Sequence, residues 1–175
     1  VGLKSASEDG PKKKRVRGGR GDDDEQTDNA AIARMLFADG FYDRASATLE
    51  EVDPNDEAVD AKEYWVLRGL VANQLTQFAE AAEYFNQAIQ AGNTEPKVVL
   101  LLVQAQVQSQ DLDAAAQTFE DAPNTVYVFP EAFILRSQVL YKLGRKHESY
   151  EIMDAGFLAY PENEDIERQR LLLLI

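Results

Sequence analysis

Apolar residues recur along this chain at spacings of three and four, and the pattern restarts after each short polar break. Phe78, Ala81, Ala82, Phe85 and Ile89 form one such run. At 3.6 residues per turn they share one helix face. With the stop signals between runs, the pattern predicts paired helices. The first pair is 28–39 and 42–52, with Gly40 at the turn and Pro54 as the stop. The second is 59–75 and 78–90, ended by Gly92. The third is 96–109 and 112–121. The fourth is 130–143 and 145–159, with Gly144 at its turn and Pro161 after it. A ninth helix begins near Asn163 and is cut off at Ile175. One stretch departs from this rule. Val126, Tyr127, Val128 and Phe129 lie between Pro123 and Pro130 and read as extended, because proline disfavours helix at and just before its own position.

The pairs are copies of one another. Ala81, Ala115 and Ser149 are 34 residues apart, as are Phe85, Phe119 and Met153, and Ala88, Ala122 and Gly156. In each register the residue types agree in size: small, then large and apolar, then small. A fixed period of this length marks an all-α solenoid, in which each helix pair hides its apolar face against the next. The chain divides into a low-complexity tail, 1–26, and a solenoid, 27–175. The units fall at about 27–57, 62–95, 96–129 and 130–163, with a partial unit at 164–175.

These residues resemble the tetratricopeptide repeat family, a helix–turn–helix unit with small and aromatic residues at fixed places. In the second unit Trp65, Gly69, Phe78, Ala81, Phe85 and Ala88 fit the pattern. In the third, Leu102, Leu112, Ala115, Phe119 and Ala122 fit, while Val99 and Val103 stand in place of the early aromatic and the glycine. In the fourth, Phe133, Gly144, Gly156 and Pro161 fit, with Ser137 and Ser149 as small substitutes. The first unit is weaker; its Tyr42, Ala45 and Leu49 precede the second unit's set by 36 residues. The resemblance implies a right-handed superhelix of about four pairs plus the truncated ninth helix. It also implies that the first helix of each unit lines a concave groove. Carried onto this chain, the groove residues are Glu63, Val66, Leu70 and Asn73, then Lys97, Leu100, Gln104 and Val107, then Glu131, Ile134, Gln138 and Tyr141. Apolar anchors alternate there with amides and acids, which suits a helix or an extended segment held by its backbone. Members that clamp a chaperone's terminal carboxylate use Lys, Arg and Asn in these rows. Here Val66, Leu70 and Leu101 occupy those places and Lys97 is the one base, so that ligand class is not expected.

Charge sharpens the picture. The net charge is −13, but residues 1–20 carry +5 and residues 21–175 carry −18. The acidic body repels nucleic acid and anionic membrane and attracts a basic partner. The basic tail, Lys12, Lys13, Lys14, Arg15, Arg17 and Arg20, resembles a nuclear localisation signal joined to a short arginine–glycine element. It supports the alternative of a nucleic-acid-associated or nuclear factor whose repeats recruit protein. The tail and the last helix are also candidate surfaces for self-association. The chain has no cysteine, which excludes disulfides and thiolate zinc sites. No apolar stretch reaches the 18 or so residues of a membrane span, and no apolar run comes after the N-terminal charges as in a signal peptide. Because the chain begins with Val and stops inside an apolar run, it reads as a fragment or a processed product. The expected setting is intracellular, cytoplasmic or nuclear, ahead of an envelope protein that has lost an anchor.

Catalytic chemistry finds no support. The one histidine, His147, lies beside Lys146 and Glu148 on a predicted polar face, without the partners of a triad or a metal site. Asp111 and Asp113 lack the glycine and loop length of a calcium site. Trp65, Phe85 and Phe119 read as core, and the carboxylate pairs as solvated faces. The sequence therefore points to a non-enzymatic adaptor that uses no cofactor or metal, binds a protein or peptide partner, and supports assembly of a larger complex.

Overall fold

Prolines and capping side chains set where these helices begin. The computed structural model describes residues 20–175, with Arg20 and Asp22 as backbone only. Among the described residues there are nine α-helices and no strand. They pair as α1 (Arg20–Ala38) with α2 (Tyr42–Glu50), α3 (Ala61–Gln74) with α4 (Phe78–Gln90), α5 (Pro96–Gln108) with α6 (Leu112–Asp121), and α7 (Pro130–Lys142) with α8 (Lys146–Ala159). The last helix is α9 (Glu164–Leu172). Pro96 and Pro130 sit in the first turns of α5 and α7, where no backbone donor is needed. The Asp60 carboxylate accepts from the Lys62 and Glu63 N–H groups at the start of α3, and Asn163 accepts from the Ile166 N–H at 3.0 Å to start α9.

Two segments depart most from the sequence reading, while other helix ends shift by at most two residues. The first helix starts at Arg20, because Asp23, Asp24 and Glu25 favour the positive end of the helix dipole and extend its first turns. The stretch read as extended is a 3₁₀ turn, Asn124–Val128. Pro123 does end α6, but Val126 is then drawn fully into the core. The Tyr160 hydroxyl closes the segment by bonding the Tyr127 and Val128 carbonyls, each at 2.9 Å. The tail residues Lys12, Lys13, Lys14, Arg15 and Arg17 lie outside the described residues.

The turn within each pair uses one device four times. Gly40, Thr76, Gln110 and Gly144 adopt positive φ, at 83°, 59°, 66° and 79°. The next N–H in each case bonds a carbonyl five residues back: Phe41 to Leu36 at 2.8 Å, Gln77 to Ala72 at 2.9 Å, Asp111 to Gln106 at 2.8 Å and Arg145 to Leu140 at 2.9 Å. This left-handed cap satisfies the last carbonyls of the first helix and reverses the chain.

Side-chain size then sets how closely the helices cross. Ala81, Ala115 and Ser149 are fully buried, as are Phe85 and Met153, and Phe119 nearly so. A Cβ on Gly69 would lie 2.5 Å from Phe85 Cε1, and one on Gly156 would lie 2.9 Å from Phe133 Cβ. Only hydrogen fits at these crossings. In the fourth unit the two small positions carry hydroxyls: Ser137 Oγ and Ser149 Oγ are 2.8 Å apart, and Ser149 donates to the Ser137 carbonyl at 2.9 Å. The pair is buried and satisfied, so it costs little.

The core follows the stack as successive clusters. Leu49, Tyr64 and Val71 join α1–α3. Phe85, Val98 and Leu102 join α3–α5. Val103, Phe119 and Val139 join α5–α7. Among first helices, α1 touches α3, and α7 touches both α5 and α9, while the second helices make no comparable contact with one another. Contacts between successive units that bypass the neighbouring helix thus lie on the first-helix face, except between α3 and α5. No described helix is long and apolar enough to cross a membrane.

Candidate functional site

On the first-helix face, spacings of three, four and three place each row on one side of α3, α5 and α7. The structure sorts the expected groove residues into three kinds. Glu63, Lys97, Gln104, Glu131, Gln138 and Tyr141 are exposed. Val66, Leu70, Asn73, Val107 and Ile134 are half-buried. Leu100 is only 7% exposed and belongs to the core around α5–α7. Val66 and Leu70 pack on the cluster between α3 and α5, and Val107 on the next one. These positions are therefore shared between groove and core.

Two recesses open on this face. One, of about 330 Å³, is lined by Lys97, Leu100, Leu101, Gln104, Phe129 and Glu131. Its floor is apolar, and its lining carries an ammonium, a carboxylate and an amide. The other, of about 260 Å³, lies between α7 and α9 and is lined by Gln138, Tyr141, Lys142, Gln169, Leu172 and Leu173, with Ser137. Tyr141 is 47% exposed there, and the Lys146 ammonium lies 5.5 Å from its ring centre. Glu63 lies apart. It accepts from Arg34 at 3.2 Å and lines a smaller recess, of about 160 Å³, against α1. Val66, Leu70, Asn73, Val107 and Ile134 line none of these three.

Leu101, Phe129, Leu172 and Leu173 line these recesses although they were not among the expected groove residues. Phe129 carried a usable signal: in its register, 34 residues earlier, stands Glu95, so an aromatic there is out of pattern. One polar atom stands out. Asn73 Oδ1 is buried and has no hydrogen-bond partner among the described residues, a costly arrangement.

Other tempting residues are placed elsewhere. Trp65 stacks on Tyr84, with ring centres 5.9 Å apart, and meets Tyr64 edge-on at 4.9 Å. It is packing, not an open platform. Burial pushes the Tyr64 phenol above its ordinary range, and its hydroxyl donates to the Leu49 carbonyl at 3.1 Å. His147 is exposed, with Nε2 3.4 Å from Glu151. Among the described residues no group of three or more His, Cys, Asp or Glu is placed to hold a metal.

This architecture can be set beside known proteins. A tetratricopeptide repeat family model matches residues 72–139. Residues 72–139 are thus matched as tetratricopeptide repeats, and the rest of the described solenoid has the same helix-pair fold. Solved structures with the same fold include MamA from AMB-1, at TM-score 0.70 and 18% identity over 86% of this chain and 81% of that one. PilF of Pseudomonas aeruginosa gives TM-score 0.63 and 14% identity over 89% of this chain and 70% of that one. The OM64 tetratricopeptide repeat domain of Arabidopsis gives 0.57 and 18% over 65% of this chain and 93% of that one. At these identities the likeness is one of fold. No curated protein sequence matches the chain. Trp65, Gly69, Ala81 and Phe85 occupy the repeat's packing positions, which explains why they serve the helix crossings and not a ligand.

Proposed function

We propose that this tetratricopeptide repeat chain is a non-catalytic scaffold that holds a segment of a partner protein along its first-helix face and so supports assembly of a larger complex. The observation that carries this reading is the pair of recesses on consecutive units. Each has apolar lining and an exposed amide, Gln104 in one and Gln138 in the other, where the half-buried Gln169 adds a second. Apolar floors anchor side chains, and amides bond the backbone of whatever lies across them. The rows Glu63 to Asn73, Lys97 to Val107 and Glu131 to Tyr141 form the proposed contact surface, extended by Phe129 and Leu172.

The test places a photo-crosslinking residue at Gln104, at Tyr141 and, as control, at the exposed Glu151 on α8. A partner captured at Gln104 and Tyr141 but not at Glu151, and released by Tyr141→Ala, supports the groove. Capture at Glu151 alone places the contact elsewhere. Leu100→Asp is unsuitable as a probe, since it would bury a carboxylate in the core; Leu101→Ala tests the same floor.

A further inference from the structure

We infer that the outer face carries a second binding site, a polar cleft between α4 and α6 that takes an arginine side chain from a partner protein. The cleft measures about 270 Å³; Glu83 and Asn86 line it from α4, Leu102 and Gln106 from α5, and Asp111 and Thr118 from the start and body of α6. A second recess, of about 180 Å³, shares Asn86, Leu102 and Thr118 and runs on to Asp121.

The solenoid contains its own comparison. One repeat further on, Asp111 is replaced by Arg145, Asn86 by Glu120, Gln106 by Leu140 and Thr118 by Ile152, each 34 residues away. There Arg145 Nη1 lies 3.4 Å from Glu120 Oε1 on the preceding second helix, while its Nε bonds Glu148 at 2.7 Å. The fold thus seats a guanidinium between α6 and α8. Between α4 and α6 the cation is replaced by a carboxylate, Asp111, while the two carboxylates that hold it, Glu120 and Glu148, are replaced by Asn86 and Ala114, so any acceptors for a guanidinium there come from Asp111 and Glu83 instead. Polar side chains, Gln106 and Thr118, stand where the next repeat has the apolar Leu140 and Ile152. The Thr118 hydroxyl donates to Gln106 Oε1 at 3.0 Å, which fixes the floor in its open form.

The lining suits the missing group. Leu102 offers an apolar bed for the methylenes of a long basic side chain. The Glu83 carboxylate accepts one bond, from Gln87 at 3.0 Å, and Asp111 accepts one, from the Ala114 N–H at 3.2 Å. A carboxylate has room for about four, so both keep acceptors for a fork of N–H donors. A guanidinium matches that arrangement better than an ammonium. Residues 61–129 also hold three basic and eight acidic groups, a field that draws a cation in.

The test is a backbone-amide NMR titration of the isotope-labelled chain with acetyl-Gly-Arg-Gly-amide, and with the analogue in which neutral citrulline replaces arginine. The arginine peptide should shift the amides of Glu83, Asn86, Gln106 and Thr118 along one saturable curve, and the citrulline peptide should bind about tenfold more weakly or not at all. Gln106→Leu combined with Thr118→Ile installs the next repeat's residues and should abolish these shifts with the helices intact. Asp111→Asn keeps the helix cap and should weaken binding about tenfold, which decides the matter if the double variant fails to fold. Shifts spread evenly over the acidic surface, or binding unchanged in Asp111→Asn, would overturn the assignment.

Discussion

At the scale of single residues, the 34-residue register decides both what is buried and what is strained. Thr76 and Gln110 adopt the left-handed conformation that Gly40 and Gly144 adopt in the other two pairs. A β-branched threonine there costs of order 1–3 kcal/mol. Thr76→Gly should therefore raise stability by about 1 kcal/mol, and Gln110→Gly by less, since glycine also loosens the unfolded chain. Chemical denaturation measures both; a loss of stability in Thr76→Gly would refute the account. The crossings behave oppositely. Gly69→Ala and Ala81→Leu force atoms into filled space and should each cost about 1–3 kcal/mol, while Glu80→Leu on the exposed side of α4 should leave the melting temperature nearly unchanged. The crossing residues were legible in sequence because size repeats at a fixed spacing. The strained turns were not. Glycine announces a left-handed turn, but threonine and glutamine in that place do so only by register.

Elements were legible where a chemical signal bounded them. The extents of α4 and α6 follow from the apolar pattern alone, and α5 and α7 start at the prolines that marked them. The first helix was underestimated because its early turns hold few apolar groups and lean on acidic residues at the dipole's positive end. The segment Asn124–Val128 was misread because proline reports where a helix stops and not which conformation the next residues adopt. A tertiary contact, the Tyr160 hydroxyl, settles that conformation from 33 residues away. Tyr160→Phe removes its two bonds to the Tyr127 and Val128 carbonyls. It should cost about 1 kcal/mol and loosen Phe129, a wall of the larger first-helix recess. Native-state hydrogen exchange should show faster opening of the amides from Val126 to Phe129, with α3 and α4 unaffected. Uniform loss of protection along the chain would mean that the hydroxyl serves global stability instead.

Across the whole molecule, charge is graded along the stack. Residues 21–60 carry −11, residues 61–129 carry −5, and residues 130–175 carry −2. The last repeat offsets its acids with placed bases: Arg145 bridges Glu120 and Glu148, and Arg170 pairs with Asp154 at 2.7 Å while covering the Phe157 ring. The first repeat is balanced by few bases, Arg34 with Glu63 among them. Like charges at that density repel, and repulsion between exposed groups is screened by salt, with a Debye length of about 10 Å at 0.1 M and about 3 Å at 1 M. Raising salt over that range should therefore raise the melting temperature. It should slow exchange most in α1 and α2, where the unbalanced acids lie. Acid acts on the last repeat. The Arg145 guanidinium holds the Glu148 carboxyl below its ordinary value of 4.5, so its contribution is present above that value and is lost as pH falls through the lowered one. Glu148→Gln should remove the steepest part of the acid loss in α8 and leave the salt response of α1 and α2 untouched. Binding of a basic partner should move against stability: the same salt that firms the scaffold weakens the attraction that brings the partner to it. Melting curves and partner titrations over one salt series measure the two together. If both rose with salt, the acidic body would have no part in recruitment, and the apolar recesses alone would account for binding.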